Sequence, residues 1–314
     1  MRFYSFPILC ILLFTTLACH NELEDPLRKK KVDQAFEKIK ALASQEKINS
    51  SYLEVALAVC RLDDPDLNET YIKKRIKTMA EATRDKIAGS RDPHKKLNAL
   101  KYVLFKKYNY RSPPFHIDVT KGNLFNYYLI NRFIGKRVAV CEGLSALFLF
   151  VAEEAQLPVT ICNAPVHCYC EYNVGNKKEN VECTLAGKIL PDKILKTLNG
   201  ATPAAAHSNV YFKPLTPKEF LASYLNSFVF AEVASPKKHT QLSLIQTLQI
   251  ADILLRISPD RPESLDTAAY IYHKADNNAK ALEIIQRSIA KAKEYGTRPE
   301  IMTYLLERRK IYEK

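Results

Sequence analysis

Three residue types with chemical reach fall within about forty positions of one another: Cys141, His167 and Glu182. A thiol, an imidazole and a carboxylate form a nucleophile, its general base and an orienter for that base, in the chain order Cys–His–acid. Cys141 opens the apolar run "CEGLSALFLFVAEEAQLP". If a helix begins at this point, the unpaired N–H groups of its first turn and its dipole favour an anion on the sulfur. Glu142 opposes that effect unless it points away. In "VHCYCEY", side-chain alternation puts His167 on one strand face and Cys168 and Cys170 on the other; in "NVECTLAG", Glu182 and Cys183 likewise part. If His167 and Glu182 share a face, the carboxylate orients the imidazole, and the imidazole takes the Cys141 proton.

Such triples also arise without function. Free Cys is among the most buried residue types, so Cys141 also reads as a core thiol, His167 as a satisfied strand histidine and Glu182 as a surface carboxylate. A metal site from Cys162, His167, Cys168, Cys170 and Cys183 lacks paired C-x-x-C spacing, and alternation splits its ligands; no metal or other cofactor is expected. Cys168 and Cys183 read as small apolar packing residues or as a disulfide pair.

The elements that must place these groups follow from periodicity. "VDQAFEKIKALA" sets Val32, Phe36, Ile39 and Leu42 on one helical stripe, and "YLEVALAVCRL" continues the pattern, with Cys60 on its apolar face. Asn68 reads as a cap, and Asp92-Pro93 opens a helix running to about Tyr108. After Pro158 the period changes: "VTICNAP", "VHCYCEYNV" and "NVECTLAG" read as short strands, the last two as an antiparallel hairpin. "TPKEFLASYLNSFVFAEVA" starts with a Thr and a Glu three residues on, a capping box. From about Lys238 the chain is helical, and Leu265, Ala269, Tyr272, Ala281, Ile285 and Ser288 have the spacing of packing residues in a tetratricopeptide repeat. A plain helical bundle closing off the first domain is the other reading.

Composition sets the class. A chain of 314 residues with 47% hydrophobic content and 8 Gly can build a full, helix-rich core. The net charge of +13 comes from dispersed Lys and Arg, with "RKKK" at Arg28–Lys31 the densest cluster and no nucleic-acid-binding motif beside it. No nucleic-acid partner is expected. "MRFYSFPILCILLFTTLAC" is too short to span a bilayer and reads as a signal peptide with the small residue Ala18 at the cleavage position. It resembles a bacterial lipoprotein signal with its Leu one place off, at Leu17, which implies lipid on Cys19 and a membrane anchor in the cell envelope. The expected organisation is a signal at 1–19, a first domain at 25–235 with a helical part at 25–110 and a core at 120–235, and helices at 238–314.

"CEGLSALFLFVAEEAQLPV", "NAPVHCYCEY" and "NVECTLAG" together resemble the transglutaminase-like superfamily, especially bacterial members with C-terminal tetratricopeptide repeats. The segments at Asn123 ("NLF") and "YFKPLTPKEFLASYLN" are similar to flanking segments of that group, and the likeness spans about Ser51 to Ala231. The resemblance implies an α+β, mostly helical papain-like core with a small antiparallel sheet, followed by the helical extension. It implies Cys141 as nucleophile, His167 as base and Glu182 as third member, where most of the superfamily carries Asp. Asn123 is an oxyanion candidate. The expected substrate is a peptide or protein amide; in the non-enzymatic alternative the core is a scaffold and the repeats bind a protein partner.

Overall fold

The computed structural model describes residues 25–113, 125–165, 167–175, 177–234, 242–297 and 299–313. Cys19 and Asn123 lie outside the described residues, as does the expected boundary between residues 235 and 238.

Helix α1 (Pro26–Ser44) starts on an Asp25 cap with Pro at its first position, and buries Val32, Phe36, Ile39 and Leu42. Helix α2 (Tyr52–Asp63) is capped by Ser51, and α3 (Glu69–Ile87) by Asn68, whose side chain accepts from the Tyr71 N–H. Helix α4 (Pro93–Lys101) begins at Asp92-Pro93 but does not run on as an α-helix. It widens into a π-helical stretch over Tyr102–Lys107 that buries Val103, Leu104 and Phe105. Phe105 stacks on Phe148 at 6.1 Å. The short helices α5 (Phe125–Tyr128) and α6 (Ile130–Phe133) lead to α7 (Cys141–Glu154), whose residues from Glu142 to Ala152 are all buried.

One antiparallel sheet follows, in the order β1 (Val159–Ala164), β2 (His167–Val174), β3 (Lys177–Glu182), β4 (Lys188–Leu190). The hairpin of β2 and β3 turns at Gly175, where φ is +59° and a side chain would be strained. The third strand differs from its sequence pattern. It starts earlier, at Lys177, and ends at Glu182, with Cys183 in a 3-10 turn. The cause is local: the Thr184 N–H and hydroxyl both bond back to the Glu182 carboxylate, and Ala186 and Gly187 take positive φ. The chain then returns as β4, a strand too short to show alternation.

Helices α8 (Asp192–Leu198) and α9 (Pro203–His207) lead to α10 (Pro217–Ala234). Glu219 accepts from the Thr216 N–H at 2.8 Å while the Thr216 hydroxyl accepts from the Glu219 N–H, the reciprocal capping box. Beyond it come α11 (Leu244–Ile257), α12 (Pro262–Lys274), α13 (Asn278–Tyr295) and α14 (Pro299–Tyr312), each packed on the next. Ala269, Ala281, Ile285 and Ser288 are fully buried between α12 and α13. One hydrophobic core runs from Phe36 in α1 through Leu147 in α7 and Phe220 in α10 to Leu254, Leu265 and Ile285. Among the described residues no helix is long and apolar enough to cross a membrane.

Candidate active site

Cys141 is the first residue of α7, and the cap before it, Val140, offers no side-chain hydrogen bond. The first-turn N–H groups are therefore left by the local sequence without a capping acceptor. The Val140 N–H is held by the Tyr127 carbonyl at 3.1 Å, which ties the helix start to α5. Gly143 makes this approach feasible: a Cβ there would stand 2.7 Å from the Tyr127 oxygen and 2.9 Å from the Ala139 Cβ. One turn on, the Ser145 hydroxyl donates to the Cys168 carbonyl at 3.1 Å, and the Cys170 thiol donates to the Ser145 carbonyl at 3.3 Å. These bonds lay the first turn of α7 beside the start of β2, where His167 stands.

The register pairs Glu171 with Asn180, so by alternation His167, Tyr169 and Glu182 share one face of the sheet. His167 Nε2 lies 2.6 Å from Glu182 Oε2. The other oxygen, Oε1, accepts from the Thr184 N–H at 3.0 Å and from its hydroxyl at 2.6 Å. The Cys141 thiol also acts on the His167 imidazole and favours its charged form. With Nε2 turned to the carboxylate, Nδ1 is the ring nitrogen left for the sulfur. The side chains of His167 and Glu182 are only 17% and 6% exposed, so their charges act in a poorly screened setting.

Burial alone would lower the imidazole's pKa, but the Glu182 charge, its hydrogen bond and the Cys141 thiol outweigh this and push it up to about 10. For Glu182, burial pulls upward, and the charge and hydrogen bond of His167 with the two bonds from Thr184 hold the carboxyl below its usual range. The two shifts agree in direction: each partner favours the charged form of the other.

The other cysteines are set apart from Cys141. All of the described cysteines are free thiols, and Cys141 is the one among them that is not buried. Cys168, Cys170 and Cys183 pack in the main core, and Cys162 sits in a small cluster with Tyr169 and Leu190 on the other face. Burial pushes the Cys60 thiol up to about 12 and those of Cys168 and Cys170 well above the ordinary value. Glu142 points away from the thiol: its carboxyl is 7% exposed and takes a hydrogen bond from the Ser223 hydroxyl of α10 at 2.8 Å. Burial pushes it up to about 7, against the charge of Arg261 and the Ser223 bond. Among the described residues, no group of three or more His, Cys, Asp or Glu side chains could hold a metal ion. A surface hollow of about 430 Å³ includes Glu154 and so lies at the far end of α7 from Cys141.

Periodicity did not reveal Thr184, Ser223 or Arg261. Thr184 had a signal, since a hydroxyl two residues after a strand-end carboxylate can close onto it. Ser223 and Arg261 had none, because they lie 81 and 119 positions past Glu142.

The chain matches the family model described as the transglutaminase-like superfamily over residues 70–226, half of its length. The chain belongs to that superfamily. The matched span runs from α3 to α10 and contains Cys141, His167 and Glu182. No curated protein matches this transglutaminase-like chain. Among solved structures, menin, crystallised to reveal its binding site for the Mixed Lineage Leukemia (MLL) protein, is similar at 10% identity with a TM-score of 0.45. That similarity covers 88% of this chain and 73% of menin.

Proposed function

We propose that this transglutaminase-like protein is a thiol enzyme that acts on amide bonds of peptides or proteins through Cys141, His167 and Glu182. The observation that carries the reading is the placement of the one described cysteine that is not buried. It sits at a helix N-terminus and acts on an imidazole that a buried carboxylate holds at 2.6 Å. In the reaction, the sulfur attacks the amide carbonyl with its proton held on His167, and the imidazolium then protonates the leaving amine. An acyl-enzyme remains. Water or a second amine resolves it, giving hydrolysis or transfer, and His167 takes the proton of the incoming group. The Cys141 N–H is suited to the developing oxyanion because a helix N-terminus leaves it without an intrahelical acceptor; Asn123 is proposed as the second donor. Glu182 keeps the imidazole in place and stabilises its charged form.

The test is alkylation with iodoacetamide near pH 7, followed residue by residue by mass spectrometry. Cys141 should react at least about tenfold faster than any other cysteine, and His167→Ala should remove that advantage. Uniform slow labelling of all cysteines would sink the proposal. We further propose that the protein is exported and anchored by lipid on Cys19. The support is the short apolar run with Ala18 before Cys19. Intact mass of membrane-bound protein should show residues 1–18 missing and acyl chains added, and an unmodified N-terminus would remove the claim.

A further inference from the structure

A cavity of about 280 Å³ lies where the segment before α10 meets the loop that starts α12. It is slightly smaller than most small-molecule pockets, the size of a side chain or a chain end. Its buried wall is Asn163 of β1, 2% exposed, and Arg261, whose side chain is 12% exposed. Among the described residues no group hydrogen-bonds the Asn163 amide, although its backbone carbonyl is engaged by the Phe212 N–H at 2.7 Å. Arg261 engages Glu263 through Nε at 3.2 Å, which leaves the fork of terminal amino groups for another partner. Lys213 lines the rim.

The acidic groups of the lining are already committed. Glu219 accepts from Lys213 at 2.6 Å and from the Thr216 cap, and Asp260 faces Lys291 at 3.6 Å. A buried amide with open donors and a guanidinium fork face the cavity, while Lys213 is held by Glu219. That set is complementary to a carboxylate.

The cavity borders the strand and helix that carry the reacting groups from their other side. Asn163 is paired with Cys168, the residue after His167. Arg261 acts electrostatically on Glu142, the residue after Cys141, and on Cys168. Asn163 therefore lies on the sheet face of Cys168, opposite that of His167, and Glu142 turns away from the thiol, so the cavity lies behind the reacting groups and not among them.

We infer that this cavity is a carboxylate-binding site, with Arg261 and Asn163 as the residues that select its ligand. This binding does not rest on the proposed amide chemistry. The carboxylate could come from a chain end or from an acidic side chain, and the probes separate these.

The experiment is calorimetric titration of the whole protein with acetyl-Ala-Gln carrying a free C-terminal carboxylate, acetyl-Ala-Glu-amide, and acetyl-Ala-Gln-amide as the neutral control. At least one charged probe should bind about tenfold or more tightly than the neutral one. Arg261→Gln and Asn163→Leu should each remove that preference, while Cys141→Ala keeps it. If Arg261→Gln does not fold, Arg261→Lys, which retains the charge but not the fork, should still reduce the preference. Equal binding of all three probes, no binding, or a preference unaffected by the variants overturns the site. A retained preference alongside slow, uniform cysteine labelling would leave the site standing and remove the amide chemistry.

Discussion

His167 is held by two groups that both favour its proton, against burial that does not. Removing the charge of Glu182 while keeping its shape should reverse the balance. In Glu182→Gln the imidazole titration, followed by NMR, should fall from about 10 to near or below its ordinary 6.5. A midpoint that stays near 10 would mean the Cys141 thiolate alone holds the proton. The same residues should act as a unit: Cys141→Ala/Glu182→Gln should turn over a peptide amide no more slowly than Cys141→Ala alone. A further loss in the double variant would give Glu182 a role independent of the thiol. At this scale the sequence was informative because side-chain alternation is strict. It placed Glu182, and not Cys183, on the His167 face, and the register agrees. It was silent on Thr184, whose bonds to Glu182 Oε1 depend on the chain leaving the strand at Glu182, well before its pattern ends.

The element that decides the site's geometry is the first turn of α7. Its position is fixed from three sides: the Tyr127 carbonyl on the Val140 N–H, the Ser145 hydroxyl on β2, and the absence of a side chain at Gly143. Gly143→Ala sets two requirements in conflict. Alanine is the better helix former by about 1 kcal/mol, but its Cβ would meet a backbone oxygen at 2.7 Å, a contact that no rotamer relieves. Overpacking of this kind costs about 1–3 kcal/mol, a net loss of up to about 2 kcal/mol after the helix gain, so the variant should melt up to about 3 °C lower. It should also slow Cys141 alkylation, since the helix start must shift. A variant that melts higher would mean that α5 is free to give way. The helix itself was legible from its apolar run and its Leu-Pro exit. Its depth was not, because a helix apolar on every side shows no stripe to indicate which neighbours surround it. The same limit hid β4 and the π-helical stretch after α4, whose identities depend on backbone pairing and not on side-chain period.

Across the whole molecule, three distant segments meet at one carboxyl. Glu142 of α7 takes the hydroxyl of Ser223 from α10 and feels the charge of Arg261 at the start of α12. That meeting ties the C-terminal helices to the turn that carries Cys141. It also gives the fold a pH dependence whose sign can be derived. Glu142 has its carboxyl pushed from an ordinary 4.5 up to about 7, chiefly by burial. As pH rises past 4.5, the unfolded chain releases this proton first, so the folded state loses stability until about pH 7 and remains lower beyond it. The shift corresponds to about 3 kcal/mol. Glu142→Gln keeps an acceptor for Ser223 and has no proton to lose. Its melting temperature should match wild type near pH 4.5 and exceed it by roughly 5 °C at pH 8, the contribution of the His167–Glu182 pair being common to both proteins. Should Glu142→Gln instead melt lower than wild type at pH 8, the ionised Glu142 carboxylate stabilises the fold as the counter-ion of Arg261. Arg261 would then be neutralised from within the protein, and the cavity it lines would lose its claim on a carboxylate.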